Sequence, residues 1–117
     1  MLYFLEPRPV ARTLGVSNNR LNNRYITSSS AWDRYHVAWL ARLHNRRRGR
    51  YRGGWSAKVN RRGQWIQFDF RRPRTVVKVV TQGREDANQW VTSYFIKYSP
   101  DAIYWTPYRK YSRVQVR

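Results

Sequence analysis

Five arginines, Arg46, Arg47, Arg48, Arg50 and Arg52, crowd into NRRRGRYRGG (residues 45–54) around Tyr51. A guanidinium grips phosphate or sulfate through paired hydrogen bonds, and a ring stacks on a base or a sugar. With glycines between them, these side chains suit contact with a polyanion; they also suit a solvated charge run that has no chosen partner. A second cluster, AWDRYHVA (residues 31–38), sets Trp32, Tyr35 and His36 beside Arg34. That is the chemistry of a membrane or ligand spike, in which aromatics enter an apolar or interfacial region while the cation meets an anionic headgroup. Capping the open end of a core is an equal use for Trp32 and Tyr35. The third cluster is TQGREDANQW (residues 81–90), where Arg84 precedes Glu85 and Asp86, two of only six acids in the chain. These acids can pair with neighbouring arginines or touch a ligand.

Other chemistries find little material. Ser28–Ser30 have no recognisable partner motif, and no phosphate-cradling glycine loop opens a helix, so no enzymatic activity is expected. His36 and His44 are the only histidines and no cysteine accompanies them, so a metal site would have to draw on the few carboxylates. Glu85 and Asp86 lack the oxygen-rich loop pattern of a calcium site. No metal and no cofactor is expected. Asp69 reads as a strand residue satisfied by a nearby arginine or by backbone N–H groups.

The chain has 117 residues, enough for one domain that buries its own core. Twenty-four Lys and Arg, twenty of them Arg, give a formal charge of +18. Such a field attracts nucleic acid, sulfated glycans or acidic lipid headgroups without choosing among them. The absence of cysteine excludes a disulfide framework and leaves the redox compartment open. Apolar stretches are too short for a transmembrane span, and LYFL near the amino terminus is too short for a signal-peptide core. Either the chain is not secreted as it stands or its start is incomplete.

The elements that would hold these clusters are strands. Met1–Arg12, with two prolines and no periodicity, reads as a poorly ordered lead-in. Strands are expected at Tyr25–Thr27, along QWIQFDF (residues 64–70), along TVVKVV (residues 75–80), at Tyr94–Tyr98, and around Tyr104 and Trp105. AWLARL is either one helical turn or a strand entry; Trp39, Leu40 and Leu43 within it are assigned to packing. Trp65, Trp90, Tyr94 and Tyr98 are expected in the core or at its edge, and residues 45–54 as a mobile loop. The pattern is all-β, with antiparallel strands packed as a sandwich.

LGV, ITSSS, WLARL, QWIQFDF, RPRTV, VTQGREDANQWVTSYFIKYS and WTPY occur in an order and spacing that resembles discoidin domains, also called coagulation factor 5/8 type C domains. The resemblance runs from about Leu14 to about Tyr108. It implies an eight-stranded, jelly-roll-like β-sandwich of the galactose-binding-like kind, an extracellular or cell-surface setting, and a binding or adhesion role without catalysis. Ligands of such domains sit in loops at one end: acidic phospholipid in clotting cofactors and lactadherin-like proteins, collagen in discoidin domain receptors, carbohydrate in others. The corresponding loops here are residues 31–38, 45–54 and 84–88. The leading ligands are therefore an acidic phospholipid surface or a sulfated glycan, with collagen as a protein ligand and nucleic acid as a non-specific polyanion. A fragment without independent function is a further alternative. Departures from the family pattern are the missing cysteines, Phe95 at a strand position often polar in relatives, and Ala102 where relatives commonly carry glycine. The family also continues beyond WTPY, so residues 13–117 are expected to form a sandwich lacking its last strands.

Overall fold

The computed structural model describes residues 2–6 and 12–108. Among the described residues there are seven short strands: β1 (Leu2–Glu6), β2 (Arg12–Thr13), β3 (Ile26–Ser28), β4 (Ile66–Phe68), β5 (Lys78–Thr81), β6 (Lys97–Tyr98) and β7 (Thr106–Pro107). Every pairing is antiparallel, in three groups: β2-β1-β5, β3-β4 and β6-β7. Two 3-10 turns, Asn23–Tyr25 and Ala38–Ala41, are the only helical elements among the described residues, so the all-β expectation holds.

The core lies in the first two thirds of the chain. Val16, Leu21, Ile26 and Ala38 are buried together, and Tyr25, Trp39, Trp55, Ile66, Phe68 and Phe70 pack against them. Register explains the membership: Ile26 sits opposite Phe68 and Ser28 opposite Ile66, which sends alternate side chains of β3 and β4 to one face. AWLARL resolves as the 3-10 turn Ala38–Ala41, burying Ala38, Leu40 and Ala41. Immediately after it the buried Arg42 guanidinium reaches back to the turn at residues 15–23. It donates to the carbonyls of Gly15 (3.2 Å), Val16 (2.8 Å) and Leu21 and to Asn23 Oδ1 (2.8 Å). A strandless turn thereby has its carbonyls satisfied by a side chain in place of a ladder. Gly15 turns at φ +99°, and a Cβ there would lie 2.7 Å from the Leu21 nitrogen.

Several expectations need correction. The segment read as a poorly ordered lead-in supplies β1, which pairs Leu2 with Thr81 and Leu5 with Lys78. Residues 1, 7–11 and 109–117 lie outside the described residues. The basic run read as a mobile loop is closed as a hairpin: Arg48 and Tyr51 exchange both backbone hydrogen bonds (2.9 and 3.0 Å), and Gly49 takes φ +57° at the first central position. TVVKVV becomes a strand only from Lys78, leaving Val76 and Val77 exposed. Along Tyr94–Tyr98 the expected alternation survives at Tyr94–Ile96, with Phe95 95% exposed between two partly buried neighbours, but only Lys97–Tyr98 is laddered. Trp65, Trp90 and Tyr98, expected in or near the core, are exposed because nothing among the described residues packs over their face. The last strand begins at Thr106, since Asp101 Oδ1 accepts from the N–H groups of Ile103 and Tyr104 (2.9 and 3.0 Å) and holds that stretch in a turn. Ala102 in this turn adopts φ +60°, the left-handed conformation that glycine takes without strain.

Candidate functional site

The three polar clusters come together, each held by a different device. In the first loop Asp33 is the organiser. Its Oδ1 accepts from the Tyr35 N–H (2.8 Å) and meets His36 Nδ1 at 2.6 Å. The His36 bond foremost, with the Tyr35 N–H, keeps the Asp33 carboxyl below the usual carboxylate range. His36 is buried, so it shapes the loop and does not present itself to a ligand. Trp32 is 64% exposed, while its N–H donates to Ser56 O (2.8 Å). Tyr35 is half-buried; the Arg34 guanidinium lies 5.0 Å above its ring.

The second loop leans on the first. Arg52 N–H donates to Tyr35 O (3.0 Å), and the Tyr51 ring meets Tyr35 edge-on at 5.7 Å. Arg50 reaches the Tyr35 hydroxyl at 3.4 Å and Arg47 Nε donates to Gly49 O (3.1 Å). The guanidiniums of Arg46 and Arg48 have no hydrogen bond or ion pair among the described residues, and both residues are exposed.

The acids of the third loop join it to the second. Asp86 Oδ1 accepts from the Gly53 N–H (2.9 Å) and from Arg84 Nε (2.7 Å), and Oδ2 accepts from Arg84 Nη2 (3.3 Å). The side chains of this pair are 13% (Arg84) and 10% (Asp86) exposed. The Arg84 hydrogen bond, aided by the Gly53 N–H, lowers the Asp86 carboxyl to about 2. Glu85 Oε2 accepts from the Arg47 N–H (3.0 Å), and Gln82 Oε1 from the His44 N–H (2.9 Å). Arg84 also donates to Gln89 Oε1 (2.8 Å), closing its own loop. Glycine is required at position 53, where a Cβ would lie 2.8 Å from Asp86 Oδ1 and 3.0 Å from Glu85 Cβ.

Arg84 and Asp86 are therefore internal fasteners, Glu85 fastens at the rim, and the outward-facing groups are Trp32, Arg34, Arg46, Arg47, Arg48, Arg50 and Tyr51. Sequence reasoning passed over Asp33, Gly53 and Gln82. Asp33 had a readable signal, an acid two residues before a backbone N–H in a loop; the other two act across long separations and had none. Ser28–Ser30 are structural: Ser29 and Ser30 hydroxyls both donate to Gln64 Oε1, and Trp55 Nε1 donates to Ser30 O. Asp69 accepts from Arg71 N and Arg71 Nη1, as expected of it. No group of three or more His, Asp or Glu gathers as a metal cluster among the described residues. No helix among them is long and apolar enough to cross a membrane.

Residues 25–116 match the F5/8 type C domain. Over 107 residues the chain is 36% identical to lactadherin of Sus scrofa, with 85% of this chain and 25% of lactadherin covered. It is 36% identical over 105 residues to coagulation factor V of Bos taurus and 37% over 105 residues to that of Mus musculus, in each case covering 85% of this chain and 5% of the relative. The chain thus spans a quarter or less of the length of these relatives. With the family match covering most of the chain and identities of this order over 85% of its length, the chain belongs to the F5/8 type C, or discoidin, domain family, and its strands are those of a β-sandwich.

Proposed function

We propose that the chain is a non-catalytic binding module that engages an acidic phospholipid surface, at a cell surface or outside the cell, through the loop end built by residues 31–38, 45–54 and 84–88. The observation that carries this reading is the combination at one end of a fastened frame and free reactive groups. Asp86, Glu85 and Asp33 are spent internally, while Trp32 projects and the guanidiniums of Arg46 and Arg48 have no partner among the described residues. An exposed indole and exposed guanidiniums on adjoining loops suit an interface where acyl chains begin and phosphates are dense. Rigidity matters to the mechanism, because side chains presented by a fixed loop lose less conformational freedom on docking. Electrostatics supplies the approach: each cation near an acidic leaflet contributes about 1 kcal/mol, weakened by salt.

The test is co-sedimentation with phosphatidylserine-containing vesicles beside heparin and duplex DNA binding, all at one salt concentration. Trp32→Ser is expected to weaken vesicle binding by about tenfold, the order expected for withdrawing an aromatic side chain from an apolar region. Heparin and DNA binding should hardly change. Neutralising Arg46, Arg47, Arg48, Arg50 and Arg52 together should weaken all three. Equal Trp32→Ser losses on vesicles and heparin, or no loss on vesicles, would overturn the insertion role and make the arginine hairpin a general polyanion contact.

A further inference from the structure

Among the described residues β6 and β7 pair only with each other. Their four laddered residues, Lys97, Tyr98, Thr106 and Pro107, are all exposed, so both faces of the ribbon meet solvent. A two-stranded ribbon so placed is marginally stable and gains from a third strand. Its two edges are not equivalent. Tyr108 N–H donates to Ile96 O (2.8 Å), so in this antiparallel register the next pair, Lys97 with Pro107, turns its backbone groups outward. On the β7 side the outward position is a proline, which has no N–H to donate and blunts that edge. On the β6 side Lys97 presents an N–H and a C=O, neither of them hydrogen-bonded among the described residues. We propose that this edge of β6 takes up an extended, acidic segment of a partner protein as a third strand.

Charge and side chains define the segment that fits. Residues 87–108 hold one of the chain's twenty-four cations, Lys97, and one of its six acids, Asp101. Asp101 is engaged in its own turn, where Oδ1 accepts from the Ser99 hydroxyl (2.9 Å) and from the Ile103 and Tyr104 N–H groups. Lys97, exposed and without an ion pair among the described residues, is left uncompensated. Exposed rings flank it: Phe95 two residues away on the same face of the strand, and Tyr98 on the other face. A stretch rich in exposed rings and poor in charge has the composition of the centre of a protein interface, whereas the arginine loop has that of a polyanion contact. A second copy of the chain fits poorly. Pairing β6 with β6 about a two-fold axis would set Lys97 close to its own image, between two molecules of formal charge +18. A segment of another protein, with an acid facing Lys97 and an apolar residue two positions away beside Phe95, meets the charge, the ring and the open edge together. None of these residues belongs to the loops at 31–38, 45–54 or 84–88, so the inference does not depend on the proposed membrane contact.

The probe is a synthetic peptide capped at both ends, Thr-Val-Thr-Glu-Thr-Val-Thr, whose single acid sits between two valines on one face of an extended strand. Two controls accompany it: the same peptide with Lys in place of Glu, and the Glu peptide N-methylated at alternate backbone nitrogens, which keeps the side chains and removes the ladder donors. Each would be titrated into the whole chain, read by NMR amide shifts and by hydrogen exchange. Saturable binding of the Glu peptide is expected, with shifts centred on residues 95–98 and slowed exchange of the Lys97 N–H. The Lys peptide and the N-methylated peptide should each bind at least tenfold more weakly. Lys97→Glu should reverse the preference between the Glu and Lys peptides. Phe95→Ser removes a ring that is 95% exposed, so the chain should fold as before while the Glu peptide binds about fivefold more weakly and vesicle binding is unchanged. Shifts centred on residues 31–54, or equal binding of the N-methylated peptide, would overturn the proposal by reducing it to attraction toward the basic loops. No saturable binding at millimolar peptide would also overturn it, as would a concentration-dependent dimer in sedimentation velocity that protects the Lys97 N–H without peptide. Because the vesicle assay depends on Trp32 and the peptide assay on Phe95 and Lys97, either reading can fail while the other stands.

Discussion

Replacing Asp86 by Asn isolates the charge that joins the third loop to the second. Asparagine keeps an oxygen for the Gly53 N–H and removes only the carboxylate that Arg84 holds. The Asp86 carboxyl lies at about 2 in the folded chain against 3.8 for the free group. At about 1.4 kcal/mol per unit this difference sets an upper value of about 2.5 kcal/mol, and screening by the nearby solvent reduces it to about 1–2 kcal/mol. Since the folded value is depressed, the contribution is complete above the unfolded pKa and is lost as pH falls through about 4 toward about 2. Urea unfolding of parent and Asp86→Asn should therefore differ by about 1–2 kcal/mol at pH 6, and most of that gap should close by about pH 2.5. Gly53→Ala provides the geometric counterpart, since its Cβ would meet Asp86 Oδ1 at 2.8 Å. Combined with Asp86→Asn it should cost less than the sum of the two single losses, because both attack one contact. A gap at pH 6 that persists undiminished at low pH, or the absence of any gap at pH 6, would refute the ionic fastening.

Three further outcomes are expected. Ala102→Gly should raise the melting temperature by a few degrees, because relief of the left-handed alanine, about 1–2 kcal/mol, exceeds the added unfolded-state freedom of glycine, about 0.5–1 kcal/mol; a lower Tm by circular dichroism would contradict it. Arg42→Met should cost about 3 kcal/mol or more in chemical denaturation, since it takes the guanidinium donors from the Val16 and Leu21 carbonyls in a buried setting, while Gly15 O keeps the Leu21 N–H. Phe95→Ser should change stability by no more than about 0.5 kcal/mol, given how fully that ring is exposed; a loss above about 1 kcal/mol would show that the ring is covered in solution.

Local pattern made the strand residues legible, and distant contacts decided what they became. IQF alternates and pairs as β4 because Ile26–Ser28 offers it an antiparallel partner in register, with the buried Ile26 opposite Phe68. TVVKVV has the composition of a full strand, yet only its second half finds a partner, and that partner is the prolines' neighbour LYFLE, which the sequence offered as a lead-in. The prolines at positions 7 and 9 were a poor guide to the five residues before them. At the loop end the residue types announced the chemistry, while the distribution of roles stayed hidden. Nothing in RED separates Asp86, turned inward to Gly53, from Glu85 on the rim; that depends on a glycine more than thirty residues away. His36 read as a ligand group for the same reason, since its burial against Asp33 follows from loop packing and not from its neighbours in sequence.

The pairing of β1 with β5 fixes an order of events during synthesis. The first strand leaves the ribosome early, and its partner Lys78–Thr81 follows only after the segment that makes the core has been translated. For that interval β1 is an open template for strands of other nascent chains. Residues 14–70 can condense meanwhile, since Val16, Leu21, Ile26, Ala38 and their packing neighbours all lie within that stretch. A formal charge of +18 then has a second use besides attracting anions, because like-charged nascent chains repel one another while the edge waits for its partner. The arginines proposed to meet an anionic surface thus also carry the charge that keeps nascent chains apart, and substitutions that neutralise many of them should reduce the yield of soluble protein.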